Sequence, residues 1–209
     1  MTAIVDYGVG NLFSLCSSLK MLGLEACVSG DEAVLRAAQR VILPGVGAFE
    51  DAMAKLEKAG LAGVLKALAD EGMPLLGICL GMQLLFDVSY EFGEHRGLGL
   101  IKGEICPLDA DLKAQGFAYK VPHMGWNTLS ISKKESPIVK YTSESEYVYY
   151  VHSYYAKNCE ESIVAASEYG VRVPGVVQCG NVYGTQFHPE KSGQTGLRML
   201  KAFSEVERC

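Results

Sequence analysis

The first half of the chain alternates short, continuously apolar segments with segments of helical spacing, and few folds accommodate this alternation. The apolar segments are TAIVDYG, EACVS, RVILPG and PLLGIC. Between the first two, leucines recur at helical spacing at positions 12, 15, 19 and 22, and Gly23 marks the end of the predicted helix. Two more helical segments follow, DEAVLRAA with Asp31 as the predicted N-cap and FEDAMAKLEKAGLAGVLKALADEG with one or two helices. Continuously apolar strands that alternate with helices predict a parallel sheet covered on both faces.

After about residue 98 the pattern changes to a succession of strand-like segments, and one amphipathic helix, TGLRMLKAFSEV, closes the chain. The strand-like segments are GLGLIKGEICPL, VPHMGWNTLSI, YVYYVHSYYA, SIVAASEYG, VPGVVQCG and VYGTQFH. We expect these strands to extend the same sheet and to add antiparallel pieces at one end. No segment has the length or composition of an interdomain linker. Residues 1–209 are therefore expected to form a single, doubly wound α/β domain with a mostly parallel central sheet.

Charge and cysteine content argue against several classes of protein. The chain carries 24 acidic and 19 basic residues, and this net charge of −5 argues against a nucleic-acid or anionic-membrane partner. Its longest apolar run, 73–86, is shorter than the roughly 20 residues that span a bilayer. The N-terminus lacks the basic segment with which a signal peptide begins, so we expect no signal peptide. Seven scattered cysteines without a CxxC pair favour a reduced, cytoplasmic protein without a metal site. No cofactor is expected.

Cys79 lies between Gly77 and Gly81 in the most apolar stretch of the chain, PLLGICLGMQLLF. One interpretation is an ordinary buried thiol, because free cysteine is among the most buried residue types. The other is a nucleophile elbow, a tight strand-to-helix turn in which flanking glycines let the backbone approach closely and residue 79 stands above the sheet. In that case PLLGIC is a strand that runs directly into a helix over GMQLLFDVS. Taken alone, GICLG leaves both interpretations open.

Two further motifs end predicted strands and supply groups that a nucleophilic cysteine needs. In FHPE, Pro189 excludes a helix interior, so we expect His188 and Glu190 in an extended segment, pointing to the same side. The carboxylate would then orient the imidazole toward the thiol; the alternative is a surface loop with a chance His–Glu pair. In PGVG, residues 44–47, backbone N–H groups can face developing negative charge, and the alternative is an ordinary strand-ending turn. Sites in open α/β sheets form at the carboxyl ends of parallel strands, so the three motifs are expected to converge.

Together, and in this order along the chain, the three motifs resemble the class I glutamine amidotransferases. GICLGMQ resembles the nucleophile signature of that family, PGVGAF its oxyanion strand and FHPEKS its His–Glu motif. The resemblance runs over essentially the whole chain. DYGVGNLFS, PHMGWN, YVHSYY and the lysine of HPEKS resemble more specifically the glutaminase subunits of imidazole glycerol phosphate synthase. Other stand-alone amidotransferase subunits of this size are not expected to carry PHMGWN.

The resemblance implies a flavodoxin-like class I glutamine amidotransferase fold and the hydrolysis of glutamine to glutamate and ammonia through a cysteine thioester. It implies that Cys79 is the nucleophile, that His188 is the general acid and base, and that Glu190 orients the imidazole. The expected oxyanion donors are the backbone N–H groups of Leu80 and of Val46 or Gly47. The expected glutamine-binding positions are Gln83, His152, Ser153 and Tyr154, the last three through the backbone around them.

The resemblance also implies a partner, a (β/α)8-barrel cyclase that uses the ammonia in histidine biosynthesis. Docking is expected on the rim around Cys79. The expected interface residues are Gly10, Asn11, Trp126, Tyr149 and Lys191. Trp126 is the single tryptophan and the expected anchor, with plain core packing as its alternative. We expect the isolated chain to be a poor glutaminase, because contacts from a partner can complete an oxyanion hole built from a mobile PGVG loop.

Four other functions stand as alternatives. GVGNLF suggests a dinucleotide-binding module, but the third glycine of G-x-G-x-x-G would fall on Phe13. A cysteine hydrolase of similar fold would share the Cys–His pair, yet it would not explain PHMGWN or Gln83. A catalytically dead interaction subunit conflicts with the intact triad. The glutaminase subunit of another amidotransferase is the remaining alternative.

Overall fold

The computed structural model describes residues 1–208, which form three β-sheets and seven α-helices. The strands are β1 (Thr2–Val5), β2 (Ala26–Ser29), β3 (Arg40–Gly45), β4 (Leu75–Cys79), β5 (Phe86–Ser89), β6 (His95–Arg96), β7 (Ile101–Pro107), β8 (His123–Thr128), β9 (Ser130–Ile131), β10 (Tyr147–His152), β11 (Tyr154–Lys157), β12 (Ile163–Glu168), β13 (Arg172–Cys179) and β14 (Val182–Thr185). The α-helices are α1 (Leu12–Met21), α2 (Glu32–Ala37), α3 (Phe49–Lys58), α4 (Leu61–Asp70), α5 (Leu80–Leu84), α6 (Leu108–Ala114) and α7 (Gly193–Ser204). Short 3-10 segments cover Pro137–Val139, Glu160–Ser162 and Pro189–Lys191.

The largest sheet within the described residues has eight strands in the order β2-β1-β3-β4-β14-β13-β12-β9. The first five strands in this order are parallel to one another. The last three are joined antiparallel at one edge. This mostly parallel sheet with an antiparallel extension confirms the predicted fold class.

Successive residues of the central strands point to opposite faces of the sheet, and both faces are buried. Ala3 and Val5 of β1 belong to one hydrophobic core, whereas Ile4 between them belongs to the other. Leu75 and Leu76 of β4 divide in the same way. Helices α3 and α4 cover the first face, and α1 and α7 cover the second. This double burial is the reason that the strands are continuously apolar in the sequence.

The helix boundaries follow local sequence signals. Asp31 Oδ1 accepts a hydrogen bond from the Ala33 amide at 2.7 Å, so this residue caps α2 as the sequence predicts. Asn11 caps α1 through the Ser14 amide at 3.4 Å. Gly60, with φ of 70°, separates α3 from α4, and the long helical segment is therefore two helices.

The expectation that the later strands all extend the main sheet is wrong. Strands β5, β6, β7 and β11 form a separate four-stranded sheet, and β8 pairs with β10 alone in an antiparallel ribbon. Of the strands after residue 98, β9, β12, β13 and β14 join the main sheet. Strand propensity marks these segments as extended, but pairing depends on partners that are distant in sequence.

The helix predicted over GMQLLFDVS stops at Leu84, and the chain continues directly as β5. The Leu84 carbonyl accepts a hydrogen bond from the Leu98 amide at 2.8 Å instead of continuing the helical ladder. Leu84, Leu85 and Phe86 are all fully buried. A change from helical to strand periodicity is visible in a sequence only where polar residues alternate with apolar ones. The run 84–86 has no polar residues to show it.

Three glycines let α5 lie directly on the backbone of β3 and β4. A Cβ at Gly81 would come within 1.9 Å of the Leu43 carbonyl oxygen. At Gly45 it would lie 2.5 Å from the Gly81 nitrogen, and at Gly77 it would lie 2.6 Å from the Gly81 oxygen. No larger residue fits at these positions unless the backbone moves. The close approach fixes where β4 ends and where residue 79 is presented.

All six cysteines within residues 1–208 are free thiols. The seventh, Cys209, lies outside the described residues. In the described part of the chain, each helix is either too short or too polar to cross a bilayer.

Gly81→Ala is expected to lower the free energy of unfolding by about 3 kcal/mol or more, because its Cβ would collide with the Leu43 carbonyl oxygen. Gly63→Ala is the matched control, since Gly63 lies within α4 with open space at its Cβ position. Alanine there should raise the free energy of unfolding by roughly 0.5–1 kcal/mol. Urea unfolding followed by circular dichroism measures both variants, and equal midpoints would contradict this account of the turn.

Candidate active site

The segments that follow β3, β4 and β14 meet at the carboxyl edge of the parallel strands. They border a cavity of about 330 Å³, which is within the usual size range of small-ligand sites. Every residue predicted for catalysis, oxyanion binding or glutamine binding lines this cavity except Glu190, which lies behind His188. Within residues 1–208, histidine, cysteine and carboxylate side chains form no group of three that could hold a metal ion.

Cys79 occupies the turn between β4 and α5 with φ of 55° and ψ of −112°. A residue with a side chain rarely adopts this backbone conformation, which costs on the order of 1–3 kcal/mol. The close packing of Gly77 and Gly81 holds it in place. The thiol lines the cavity and lies 3.9 Å from the Val151 carbonyl oxygen, to which its S–H can donate. The turn has the geometry of a nucleophile elbow.

His188 and Glu190 flank Pro189, where the chain leaves β14 and enters the 3-10 segment Pro189–Lys191. The expectation of an extended segment is wrong for Glu190, which lies inside that helical turn. Proline is tolerated at the first position of such a turn, where its missing N–H leaves no bond unmade. The two side chains nevertheless meet, with His188 Nδ1 2.8 Å from Glu190 Oε1, and both are almost fully buried.

Hydrogen bonds from two neighbouring elements fix the position of His188. The backbone N–H of His188 donates to the Tyr149 carbonyl of β10 at 3.1 Å. Its own carbonyl accepts a hydrogen bond from Ser192 Oγ at 2.6 Å, and Ser192 Oγ accepts one from the Tyr149 N–H at 2.9 Å. Strand β10 therefore positions the imidazole as well as bordering the cavity.

The buried imidazole of His188 has a pKa above its ordinary value. Burial lowers its pKa, but the hydrogen bonds and charges of Cys79 and Glu190 outweigh this effect and raise the pKa from 6.5 to about 9. His123 and His152 differ, because burial lowers the pKa of His123 to about 4. Burial and the neighbouring His123 lower the pKa of His152 to about 3. An imidazole that is held in its protonated form between a cysteine sulfur and a carboxylate has the arrangement of a general acid.

Three backbone positions beside Cys79 are the candidate oxyanion donors. Val46, Gly47 and Leu80 all line the cavity. The parallel register places Gly45 opposite Cys79, so the chain after β3 runs on past this residue. Gly47 has φ of 95°, a conformation that favours glycine.

Tyr7 ties the PGVG segment to the loop after β1. Its hydroxyl donates to the Pro44 carbonyl at 2.7 Å. Burial, reinforced by the charge of Cys79, raises the pKa of Tyr7, so the phenol stays a neutral donor. Val46 is 45% exposed. The segment is thus anchored at Pro44 and exposed to solvent two residues later, at Val46.

Three of the four predicted glutamine-binding residues, Gln83, His152 and Tyr154, share one hydrogen-bond network. Gln83, one turn after Cys79, donates through Nε2 to the Tyr154 carbonyl at 3.0 Å and to Gln186 Oε1 at 3.1 Å. His152 Nδ1 lies 2.9 Å from the same Tyr154 carbonyl. The imidazole of His152 is therefore part of the protein interior, and Ser153 lines the cavity beside it.

Sequence reasoning missed two residues, Gln186 and Glu91. Gln186 is fully buried, and its Nε2 lies 4.0 Å from Cys79 Sγ. Its position directly before FHPE was a signal that could have found it. Glu91 lines the cavity, and its Oε2 accepts a hydrogen bond from the Phe49 amide. In the sequence, nothing distinguishes this residue from an ordinary solvated carboxylate.

Two of the predicted interface residues lie on the outer face of the β8–β10 ribbon. Trp126 is opposite Tyr149 in the ladder, and their rings meet edge to face with centroids 5.9 Å apart. Trp126 is 55% exposed, so core packing is not its environment. Met124 and Tyr147 on the same ribbon are also exposed, which makes this face unusually apolar for a free surface.

The other three predicted interface residues lie close to the same edge of the sheet. Lys191 is exposed in the 3-10 segment after His188. Asn11 borders a small space that Glu190 also lines. Gly10 has φ of 122° and lies close to the Pro44 ring. These residues and the ribbon thus surround the histidine–glutamate turn.

In a titration followed by nuclear magnetic resonance, the ring signals of His188 should show a midpoint near pH 9. Cys79→Ala should lower this midpoint, because it removes a hydrogen bond and a charge that raise the pKa. Because the folded pKa exceeds 6.5, His188 stabilises the fold fully below about pH 6.5, and this contribution is lost as the pH rises through about 9. His123 is the internal reference and should not titrate above pH 5. An unchanged His188 midpoint in Cys79→Ala would show that the thiol does not interact with the ring.

Comparison with known proteins agrees with this geometry. The family model for class I glutamine amidotransferases matches residues 3–205. Two solved structures share the fold with TM-scores of 0.73, one described as a glutamine amidotransferase at 20% identity and the other as PurLQS from Thermotoga maritima at 19%. Each alignment covers 97% of this chain, and 98% and 96% of those chains respectively.

Curated relatives are much closer in sequence. The imidazole glycerol phosphate synthase subunit HisH of Listeria monocytogenes is 50% identical over 99% of this chain and 96% of its own length. The HisH subunits of Bacillus cereus and Lactiplantibacillus plantarum are also 50% identical over 99% of this chain, and over 95% and 96% of their own lengths. The chain therefore belongs to the class I glutamine amidotransferase family and, within it, to the HisH subunits of imidazole glycerol phosphate synthase.

Proposed function

We propose that this chain is the glutaminase subunit of an imidazole glycerol phosphate synthase and hydrolyses glutamine to glutamate and ammonia. The observation that carries the proposal is the Cys79–His188–Glu190 arrangement beside a cavity of about 330 Å³. Relatives that are 50% identical over nearly their full lengths bear that subunit's name. We also propose that residues 1–209 act as a single glutamine amidotransferase domain.

In the first half of the reaction, Cys79 attacks the side-chain amide carbon of glutamine as a thiolate, and the proton of its thiol is the one carried by the His188 imidazolium. The amide oxygen gains negative charge as the carbon becomes tetrahedral. The Leu80 N–H and one N–H from Val46 or Gly47 are the proposed donors to this oxygen. The loss of one such donor typically costs about 2.7–4 kcal/mol of transition-state stabilisation, so the resting position of the PGVG segment controls the rate.

His188 then acts first as an acid and afterwards as a base. As the carbon–nitrogen bond breaks, the imidazolium gives its proton to the departing nitrogen, which leaves as ammonia, and a thioester on Cys79 remains. The neutral imidazole next takes a proton from water, and the resulting hydroxide attacks the thioester carbon. Glutamate leaves, and the sulfur is regenerated. The raised pKa of His188, about 9, keeps the acid form available at neutral pH.

The cavity also offers groups that can orient the amino-acid end of the substrate. Glu91 already holds the Phe49 amide through Oε2, and we assign its other oxygen to the substrate ammonium group. Gln83 uses its Nε2 within the protein, so its Oε1 is the atom left for substrate. Backbone groups of Ser153 and Tyr154 complete the proposed contacts.

The partner we propose is a (β/α)8-barrel cyclase subunit that receives the ammonia. Ammonia released into water near neutral pH is mostly protonated and lost as a nucleophile, so direct transfer into a second active site is required. The apolar face of the β8–β10 ribbon supports docking at the mouth of the cavity, because aromatic side chains commonly anchor interfaces. We place this complex in the cytoplasm, as the scattered cysteines of the sequence indicate.

Cys79→Ala should reduce glutamate release by about 1,000-fold or more, because it removes the nucleophile of a triad that acts as a unit. Glutamate would be measured for the chain mixed with the cyclase and its nucleotide ligand. Cys159→Ala is the matched control, since Cys159 is also a buried free thiol but does not line the cavity. Near-normal turnover by a folded Cys79→Ala protein would refute the proposed function, and peptide cleavage without amide hydrolysis would favour a cysteine hydrolase.

Trp126→Ala should weaken the complex with the cyclase by about 30-fold in Kd, the effect of losing roughly 2 kcal/mol at an aromatic anchor. Met21→Ala is the control, because Met21 is 73% exposed but ends α1 at the opposite edge of the sheet. Analytical ultracentrifugation of each variant with the cyclase measures the difference. If Trp126→Ala and Met21→Ala bind equally well, the partner does not dock on the ribbon.

A further inference from the structure

The carbonyl oxygen of Tyr154 sets the polarity of a buried network that reaches the nucleophile. It accepts hydrogen bonds from His152 Nδ1 at 2.9 Å and from Gln83 Nε2 at 3.0 Å. A carbonyl oxygen is only an acceptor, so both neighbours must present N–H groups to it. This requirement shows which end of the Gln83 amide is the nitrogen. The positions of the heavy atoms alone would not distinguish the nitrogen from the oxygen.

The orientation of Gln83 then dictates that of Gln186. The second N–H of Gln83 Nε2 points at Gln186 Oε1, 3.1 Å away. Because Gln186 must present its oxygen to Gln83, its amide nitrogen lies on the other side, 4.0 Å from Cys79 Sγ. That distance is at the outer limit for a hydrogen bond to sulfur. Gln186 is fully buried, so water does not compete for this N–H.

The other branch of the network is fixed in the same direction. His152 Nδ1 donates, so its Nε2 must accept from His123 Nδ1, 3.0 Å away. His123 Nε2 in turn accepts from Asn127 Nδ2 at 3.4 Å, and Asn127 Nδ2 also donates to the Glu168 carbonyl at 2.8 Å. Burial lowers the pKa of both imidazoles, to about 3 and about 4. Neither ring therefore changes its donor pattern near neutral pH.

Cys79 needs different partners in its two protonation states. As a thiol it can donate to the Val151 carbonyl oxygen at 3.9 Å. As a thiolate it has no proton, and it requires donors. His188 supplies one of them. Within residues 1–208, the side-chain amide whose N–H points at the sulfur is that of Gln186.

We propose that Gln186 is a further catalytic residue, whose amide N–H donates to the Cys79 thiolate in an orientation that the Tyr154 carbonyl imposes through Gln83. Its role in turnover rests on the proposed glutaminase function, whereas its contact with the sulfur does not. Gln186 does not line the cavity, so it acts on the nucleophile and not on substrate binding.

The test compares Gln186→Met with wild type in the rate at which iodoacetamide alkylates Cys79 at pH 7. Methionine keeps the length and apolar volume of the side chain but has no N–H to donate. We expect alkylation to slow by about tenfold, the typical effect of one hydrogen bond to a charged group. Thr185→Val is the matched control, because Thr185 is equally buried and its hydroxyl has no hydrogen-bond partner within residues 1–208. It should alkylate within twofold of wild type.

Two further measurements separate a catalytic role from simple packing. In the complex with the cyclase, Gln186→Met should lower kcat for glutamine hydrolysis by a similar factor and leave KM within about twofold. Gln83→Met and Gln186→Met combined should slow alkylation no more than the slower single variant, because both act through one chain of hydrogen bonds. If Gln186→Met does not fold, Gln186→Asn retains an amide that is too short to reach both Gln83 and the sulfur, and it should show the same slowing.

Wild-type alkylation rates in folded Gln186→Met or Gln186→Asn would overturn the proposal, even if the complex releases glutamate normally. Slow alkylation in these variants, with no glutamate release by the wild-type complex, would support the contact with sulfur and refute the proposed function. The two failures are therefore distinguishable.

Discussion

Direct contact between α5 and the backbone of the sheet is the constraint on which the rest of the site depends. No side chain separates them, because a Cβ at Gly81 or Gly45 would meet backbone atoms at 1.9 and 2.5 Å. This contact ends β4 at Cys79, holds that residue at positive φ and brings the segment after β3 alongside the sulfur. A layer of side chains at this point would separate Cys79 from the candidate oxyanion donors. The apolar run PLLGICLGMQLLF around Cys79 is thus part of the hydrophobic core and also supports the site.

Three buried histidines show how neighbours, and not burial alone, decide protonation. His188 lies between a carboxylate and a thiol, and its pKa rises to about 9. His152 lies between a backbone carbonyl and the neutral ring of His123, and its pKa falls to about 3. One imidazole is therefore equipped to move protons, while the other two hold a fixed hydrogen-bond pattern. The candidate site needs both behaviours, since a mobile proton requires surroundings that do not titrate with it.

The parts of the molecule that sequence reasoning predicted are those with local signals. Leucine spacing and continuous apolar strands predicted β1 to β4 and their helices, and the Gly–Cys–Gly and His–Pro–Glu motifs predicted where chemistry would lie. The end of α5 at Leu84 was not predictable, because the buried run has no polar face. The pairing of β8 with β10 and the orientation of Gln186 depend on groups distant in the chain, such as the Tyr154 carbonyl. Local patterns carry no information about such contacts.

The backbone conformation of Cys79 has a consequence for how this protein changes over generations. Glycine adopts φ of 55° and ψ of −112° without strain, whereas cysteine does not. A mutation that replaced Cys79 by glycine would thus relieve this backbone strain. If selection acted on folding alone, cysteine would not be retained at this position. Only continuous demand for the reaction itself can keep a cysteine there.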